Sequence, residues 1–191
     1  MLELKSFDGL QPMDQGILHG SGPLQKVIEA AEGGWACHAF TVLNATQVFE
    51  ALEGGMTLSP LESYRSSFEA GNLRLFRPDG SLAAKKAARD AFYLAGKGHP
   101  YAYPQLVGFL FVLAARRLFR RDIPNPLPVS WVCSEANCRG LRLLSTELGK
   151  RGEWDARNAL EPVWRVNPNN TTPQDHLVFC STGNYPSEMY A

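Results

Sequence analysis

The chain carries no net charge, because its 19 basic and 19 acidic side chains cancel. Such a chain has no global electrostatic reason to seek nucleic acid or an anionic membrane. Its expected partner is a specific substrate read by a local site. It also lacks a membrane-length apolar run. The longest, "LVGFLFVLAA" at Leu106–Ala115, is far short of the roughly 20 residues a spanning helix needs and reads as a buried helix. The opening stretch "MLELKSFDGLQPMDQGIL" has early acids and no apolar leader, which predicts a cytoplasmic protein. The sequons at Asn44, Asn169 and Asn170 then read as chance matches. No Gly-rich phosphate loop is present, so nothing points to a nucleotide, and no cofactor is expected. Internal repeats and low-complexity segments are absent as well.

Cysteine is scarce. Cys37, Cys133, Cys138 and Cys180 form no C-x-x-C pair. Four in a chain of 191 residues do not make a disulfide-stapled mini-domain. A zinc site would want tight ligand pairs, and Cys133 and Cys138, five apart, do not project from one helix face. No metal site is predicted.

What is present is a globular composition, 45% apolar and 20% charged, at about one domain's length. "GPLQKVIEAAEGG" reads as a short helix opened by Pro23 and stopped by Gly33. "WACHAFTVLN" and "TQVFEAL" read as a hairpin across "NAT". Ser81 can cap a helix that Gly96 ends. "YPQLVGFLFVLAARRLFRRDIPNP" reads as a longer helix, whose closing arginines, Arg116, Arg117, Arg120 and Arg121, suit a helix C-terminus better than a phosphate patch. "CSEANCRGLRLLSTELGKRG" is the next helix, and "LEPVWRVN" and "DHLVFCS" are expected as strands. Strands and helices segregate along the chain, which predicts an α+β fold with an antiparallel sheet, as one domain over 1–191.

Cys133 falls at a predicted helix start, where the partial positive charge favours the reactive thiolate and free backbone N–H groups can hold an oxyanion. Asn137, Leu141, Leu144 and Leu148 continue its face, which should be buried. His38 lies within a strand, sharing a face with Phe40. If the hairpin loop is Asn44–Thr46, Phe40 lies opposite Glu50, and Glu50 becomes a diagonal neighbour of His38. A carboxylate there would fix the imidazole tautomer. A two-residue loop would put Glu50 on the other face. Considered singly, each residue has a plainer reading: a core cysteine, a core histidine, a solvated acid. His19, His99 and His176 read as surface residues, and Cys180 as core on a strand. Cys37 alternates away from His38.

The order His, Glu, Cys in these contexts resembles the permuted branch of the NlpC-type papain-like cysteine peptidases and amidases, the YiiX-like proteins. The carrying segments are "DQGIL", "CHAFTVL", "VFEAL", "HPYAY", "WVCSEANC" and "TPQDHLV". The chain departs from the family pattern in several places. The Gly–Asp pair is scrambled to "DQG", Cys37 stands where a serine precedes the histidine, and Ala102 replaces an acid. "ANC" follows "CSE" in place of larger apolar residues. The resemblance implies a papain-like fold, circularly permuted, with an antiparallel sheet packed on helices. It implies Cys133 as nucleophile, His38 as general base and acid, and Glu50 as the group that orients His38. The substrate would be a peptide, amide or acyl ester, with a cell-wall-type peptide among the options. Two alternatives stand beside this thiol hydrolase. One is a non-catalytic binding or structural module of the same fold, for example a phage particle component. The other is an acyltransferase or acylhydrolase on lipids, which would expose an apolar patch from Phe109, Phe111 and Phe119, residues that otherwise read as core.

Overall fold

The computed structural model of the chain describes residues 1–20, 22, 26, 29–30, 33–52, 54–100, 112, 115–116, 119, 123, 132–186 and 189. Six strands form one antiparallel sheet: β1 (Leu2–Leu4), β2 (Gln15–Leu18), β3 (His38–Val42), β4 (Gln47–Leu52), β5 (Gly55–Pro60) and β6 (Leu73–Arg77), in the order β1-β6-β2-β3-β4-β5. Only β3–β4 and β4–β5 are neighbours joined by a few residues, while β6 returns from far along the chain to lie between β1 and β2. A 3-10 turn at Leu61–Tyr64 and helix α1 (Arg65–Glu69) join β5 to β6. Then come α2 (Leu82–Gly96), α3 (Cys133–Lys150), α4 (Trp154–Asn158), α5 (Pro162–Arg165) and α6 (Pro173–Thr182). The fold is α+β, as the segregated pattern predicted.

Strand alternation gives the sheet two different faces. Ile17 and Phe76 point to the side where Ala84 and Ala88 of α2 and Leu141, Leu144 and Leu148 of α3 pack. Phe40, Val42, Val48, Leu73 and Leu75 point to the other, beneath Phe7 and Leu61, with Tyr64 and Phe68 beside them. Each fully buried Leu or Phe contributes about 1.5–3 kcal/mol relative to exposure, so the large apolar side chains fix which face each strand presents.

The hairpin and two helices follow their sequence signals. Leu43 N–H donates to Gln47 O at 2.9 Å, and Asn44 Oδ1 accepts from Thr46 N at 2.9 Å, giving a three-residue loop. Ser81 caps α2 through Ala84 N. α3 begins at Cys133, and Asn137, Leu141, Leu144 and Leu148 are all fully buried.

Other expectations are corrected. The segments expected as C-terminal strands are helical: "LEPVWRVN" contains α5 and "DHLVFCS" lies in α6. Thr172 and Asp175 form a reciprocal capping box with Pro173 in the first turn, and Gly183 ends α6 at φ 82°. Those local signals outweigh the apolar run that suggested a strand. Cys180 is core, but on a helix. β1, β2, β5 and β6 were not anticipated. Of the early helix, Lys26, Glu29 and Ala30 are helical and the rest lies outside the described residues. The same holds for the long arginine-ended helix, of which Val112, Ala115, Arg116 and Phe119 are helical. Arg116 is packed rather than solvated: it reaches Asp175 Oδ2 at 2.6 Å and Asn170 O at 2.7 Å. Asn170 is itself buried, which suits a chance sequon. Among the described residues, no helix is long and apolar enough to cross a membrane.

Candidate active site

β3 and β4 separate at one end. Their ladder pairs Thr41 with Phe49 and Val42 with Val48, although β3 continues back to His38 and β4 forward to Leu52. Val42 N–H bonds Asp14 O on the β2 side, and Leu43 N–H bonds Gln47 O on the β4 side. Alternation therefore aims the Ala39 N–H toward β4, where the ladder has ended. The sheet has a fork there.

The fork gathers the three sequence candidates. His38 shares its face with Phe40 and Glu50, and its Nε2 lies 2.6 Å from Glu50 Oε2. Cys133 arrives from the opposite face, as the first residue of α3. Its thiol stands close enough to the His38 ring and to the backbone N–H groups of Ala39 and Ser134 for each to act on its charge. With Nε2 held by Glu50, Nδ1 is the ring nitrogen left for a thiol. The residue before the helix, Val132, is extended and offers no side-chain cap. The first N–H groups are thus left for the sulfur and for whatever binds beside it.

Glu50 has no exposed surface, and a buried carboxylate must be satisfied. Tyr64 Oη donates to it, 2.6 Å from Oε2 and 2.8 Å from Oε1. Ser59, diagonal to it on β5, also helps hold its charge. Tyr64 in turn packs on Phe40 at 4.6 Å between ring centroids. Neither Tyr64 nor Ser59 was found by reading the sequence. Their link to Glu50 is made across β5 and the 3-10 turn, and no local motif marks it.

The electrostatics form a coupled unit. Burial opposes charge on Cys133, but the facing His38 cation and the two N–H groups bring its thiol below the ordinary value. Burial likewise opposes charge on His38, yet Cys133 and Glu50 outweigh it and lift the imidazole to about 10. Glu50 is held low against its own burial, chiefly by His38, then by Ser59 and Tyr64. Tyr64 is pushed up by burial and by the Glu50 charge, so it stays a donor. The shifts all favour charge on Cys133, His38 and Glu50 together.

The remaining cysteines are unsuited to this chemistry. Cys37 donates to Leu18 O at 3.3 Å and is pushed up to about 12, mainly by burial. Burial raises Cys138 and Cys180 as well. All four cysteines are free and buried. His99 is exposed, and His19 is partly so, set between Trp35 O at 3.0 Å and Glu29 Oε1 at 2.8 Å. His176 is a correction: expected at the surface, it is fully buried on α6, with its Nε2 3.4 Å from Gln15 Oε1. Phe119 is also corrected, being 70% exposed where core was expected, while Phe109 and Phe111 lie outside the described residues. Among the described residues, no group of three His, Cys, Asp or Glu side chains could hold a metal ion. In comparisons with known proteins, no family model and no curated protein matches the chain.

Proposed function

We propose that the protein is a thiol hydrolase that cleaves an amide or an ester through Cys133, His38 and Glu50. The observation that carries this reading is the His38–Glu50 hydrogen bond, closed by Tyr64, beside a helix-start Cys133 whose charge couples to His38. A thiolate poised on an imidazolium needs no further deprotonation to attack. Cys133 Sγ adds to the substrate carbonyl carbon, and the carbonyl oxygen takes up the negative charge. The Cys133 backbone N–H, at an uncapped helix start, contributes to holding that oxyanion. As the tetrahedral intermediate collapses, the carbonyl–leaving-group bond breaks and His38 gives its proton to the departing amine or alkoxide. Water then attacks the thioester with His38 as base. The acid is released, and the thiolate and imidazolium are restored. Glu50 keeps the His38 ring oriented and its cation stabilised throughout.

The finer architecture belongs to the same proposal: a single permuted papain-like domain over 1–191, working in a reducing, cytoplasmic setting that keeps the thiol available. Peptides, including cell-wall-type peptides, are the first substrates to test. The test is a screen of peptides, simple amides and acyl esters, comparing wild type with Cys133→Ala. Turnover of one class that vanishes in Cys133→Ala supports the reading. Equal rates for both proteins on every class would exclude it and leave the binding module.

A further inference from the structure

We propose that Asn137 is a positioning residue, whose side chain locks the Cys133 helix onto β3 at the register that brings the thiol to the His38 ring. The inference rests on the thiol-hydrolase reading. Asn137 lies four residues, about one helical turn, after Cys133 and on the same face. Its Nδ2 donates to Phe40 O at 3.0 Å, and its Oδ1 accepts from Thr41 Oγ1 at 3.2 Å. A carbonyl can only accept, so the orientation of the amide is fixed. Phe40 and Thr41 are two and three residues beyond His38 on the same strand. Asn137 and Thr41 are both fully buried.

Packing alone does not require an amide there. Leu141, Leu144 and Leu148 already hold α3 against the sheet, and an apolar residue of similar volume would extend that contact. Apolar contact is non-directional, however, and lets a helix slide. Two hydrogen bonds to successive strand residues do not. They act one turn from the nucleophile, where a displacement of about 1 Å can cost 10²-fold in rate. The anchor also extends further. Thr41 Oγ1 lies 3.4 Å from Gln15 Oε1 on β2, which faces His176 of α6. Gln15 is held by its own Nε2 bond to Met13 O at 2.7 Å.

Among the described residues, the titratable groups acting on the thiol environment are His38, with Glu50 and Tyr64 behind it, and Cys37. Asn137 is neutral, so replacing it with a neutral residue changes geometry and leaves the charge inventory alone. The experiment measures iodoacetamide alkylation of each cysteine by mass spectrometry, from pH 5 to pH 9, in wild type, Asn137→Leu and Thr41→Val. Melting temperature is recorded alongside. In wild type, Cys133 should react fastest at pH 6. In Asn137→Leu its rate at pH 6 should fall about tenfold, the signature of a thiol midpoint raised by about one unit. Thr41→Val, which deletes only one of the two bonds, should fall between. Cys37, Cys138 and Cys180 should stay protected in both variants, separating a local shift from general loosening. A wild-type profile for Cys133 in the folded variants overturns the proposal. If Asn137→Leu does not fold, Thr41→Val decides alone. If wild-type Cys133 itself shows no enhanced reactivity at pH 6, the hydrolase reading falls first and the positioning role with it.

Discussion

His38 Nε2 and Glu50 Oε2 stand 2.6 Å apart on adjacent strands whose ladder has already ended. Where the strands part, the pair is joined through side chains, and the opening admits the first residue of α3 from the other face.

Glu50→Gln keeps the shape and removes the charge. The His38 cation loses its buried carboxylate and its midpoint drops, so the Cys133 thiolate loses support and its own midpoint rises. Alkylation of Cys133 at pH 6 should fall about tenfold or more, one unit of midpoint being a factor of ten. A stopped-flow or mass-spectrometric rate profile checks this. An unchanged profile would mean that Glu50 is structural.

The pair should leave a pH signature in stability. His38 is raised to about 10 from an unfolded value near 6.5, so its contribution is complete below about 6.5 and lost as pH rises through 10. Cys133 is lowered from an unfolded value of about 8.5, so its contribution is complete above that and lost as pH falls through the folded value. Below about 8.5 the two slopes oppose each other, and above it only the His38 slope remains. The difference in stability between wild type and a Cys133→Ala, His38→Ala double variant should therefore decline as pH rises from about 8.5 through 10. Chemical denaturation in a pH series measures it, and a difference that does not decline over that range contradicts the ion pair.

Gly16 is the glycine of the "DQG" segment. A Cβ at that position would meet Phe40 Cζ at 2.1 Å, because the Phe40 ring from the paired strand lies over it. Gly16→Ala must move that ring, and Phe40 packs on Tyr64, which holds Glu50. We expect a loss of about 1–3 kcal/mol, the usual cost of overpacking, together with slower Cys133 alkylation. Denaturant midpoints and alkylation rates check the two halves separately. A destabilised variant with wild-type reactivity would break the proposed link from Phe40 to the site.

His176 is fully buried, and among the described residues its Nδ1 has no hydrogen-bond partner. Burial pushes the imidazole down to about 3. The folded state thus refuses a proton that the unfolded chain accepts, and stability falls as pH drops from about 6.5 toward 3, by about 1.4 kcal/mol per unit. His176→Leu should lose some stability at pH 7.5, where Gln15 Oε1 loses a donor, and should catch up with wild type by pH 5. Urea unfolding at the two pH values decides. A constant gap between the proteins would show that His176 is not neutral when folded.

The misread segments have identifiable causes. "DHLVFCS" offered an apolar run too short to separate helix from strand, while the deciding marks, Thr172, Pro173, Asp175 and Gly183, lay at its edges and beyond. β1, β2, β5 and β6 run three to six residues each and take their identity from the neighbours they pair with. His176 looks polar in sequence, and only the packing of α6 buries it.

The sequence by itself determined the start of α3 at Cys133, its buried face through Asn137 and Leu148, and a hairpin across "NAT", while the structure decided the length of that loop and with it the face of Glu50. Each depends on a period or a turn, which local sterics and backbone hydrogen bonding dictate within a few residues. Tertiary structure alone decided the fork between β3 and β4, the Tyr64 and Ser59 contacts that allow Glu50 to be buried, and the Asn137 bridge to Phe40 and Thr41. Those contacts join groups up to 97 positions apart. Their geometry is set by how helices and sheet close around a shared core, and no local pattern encodes it.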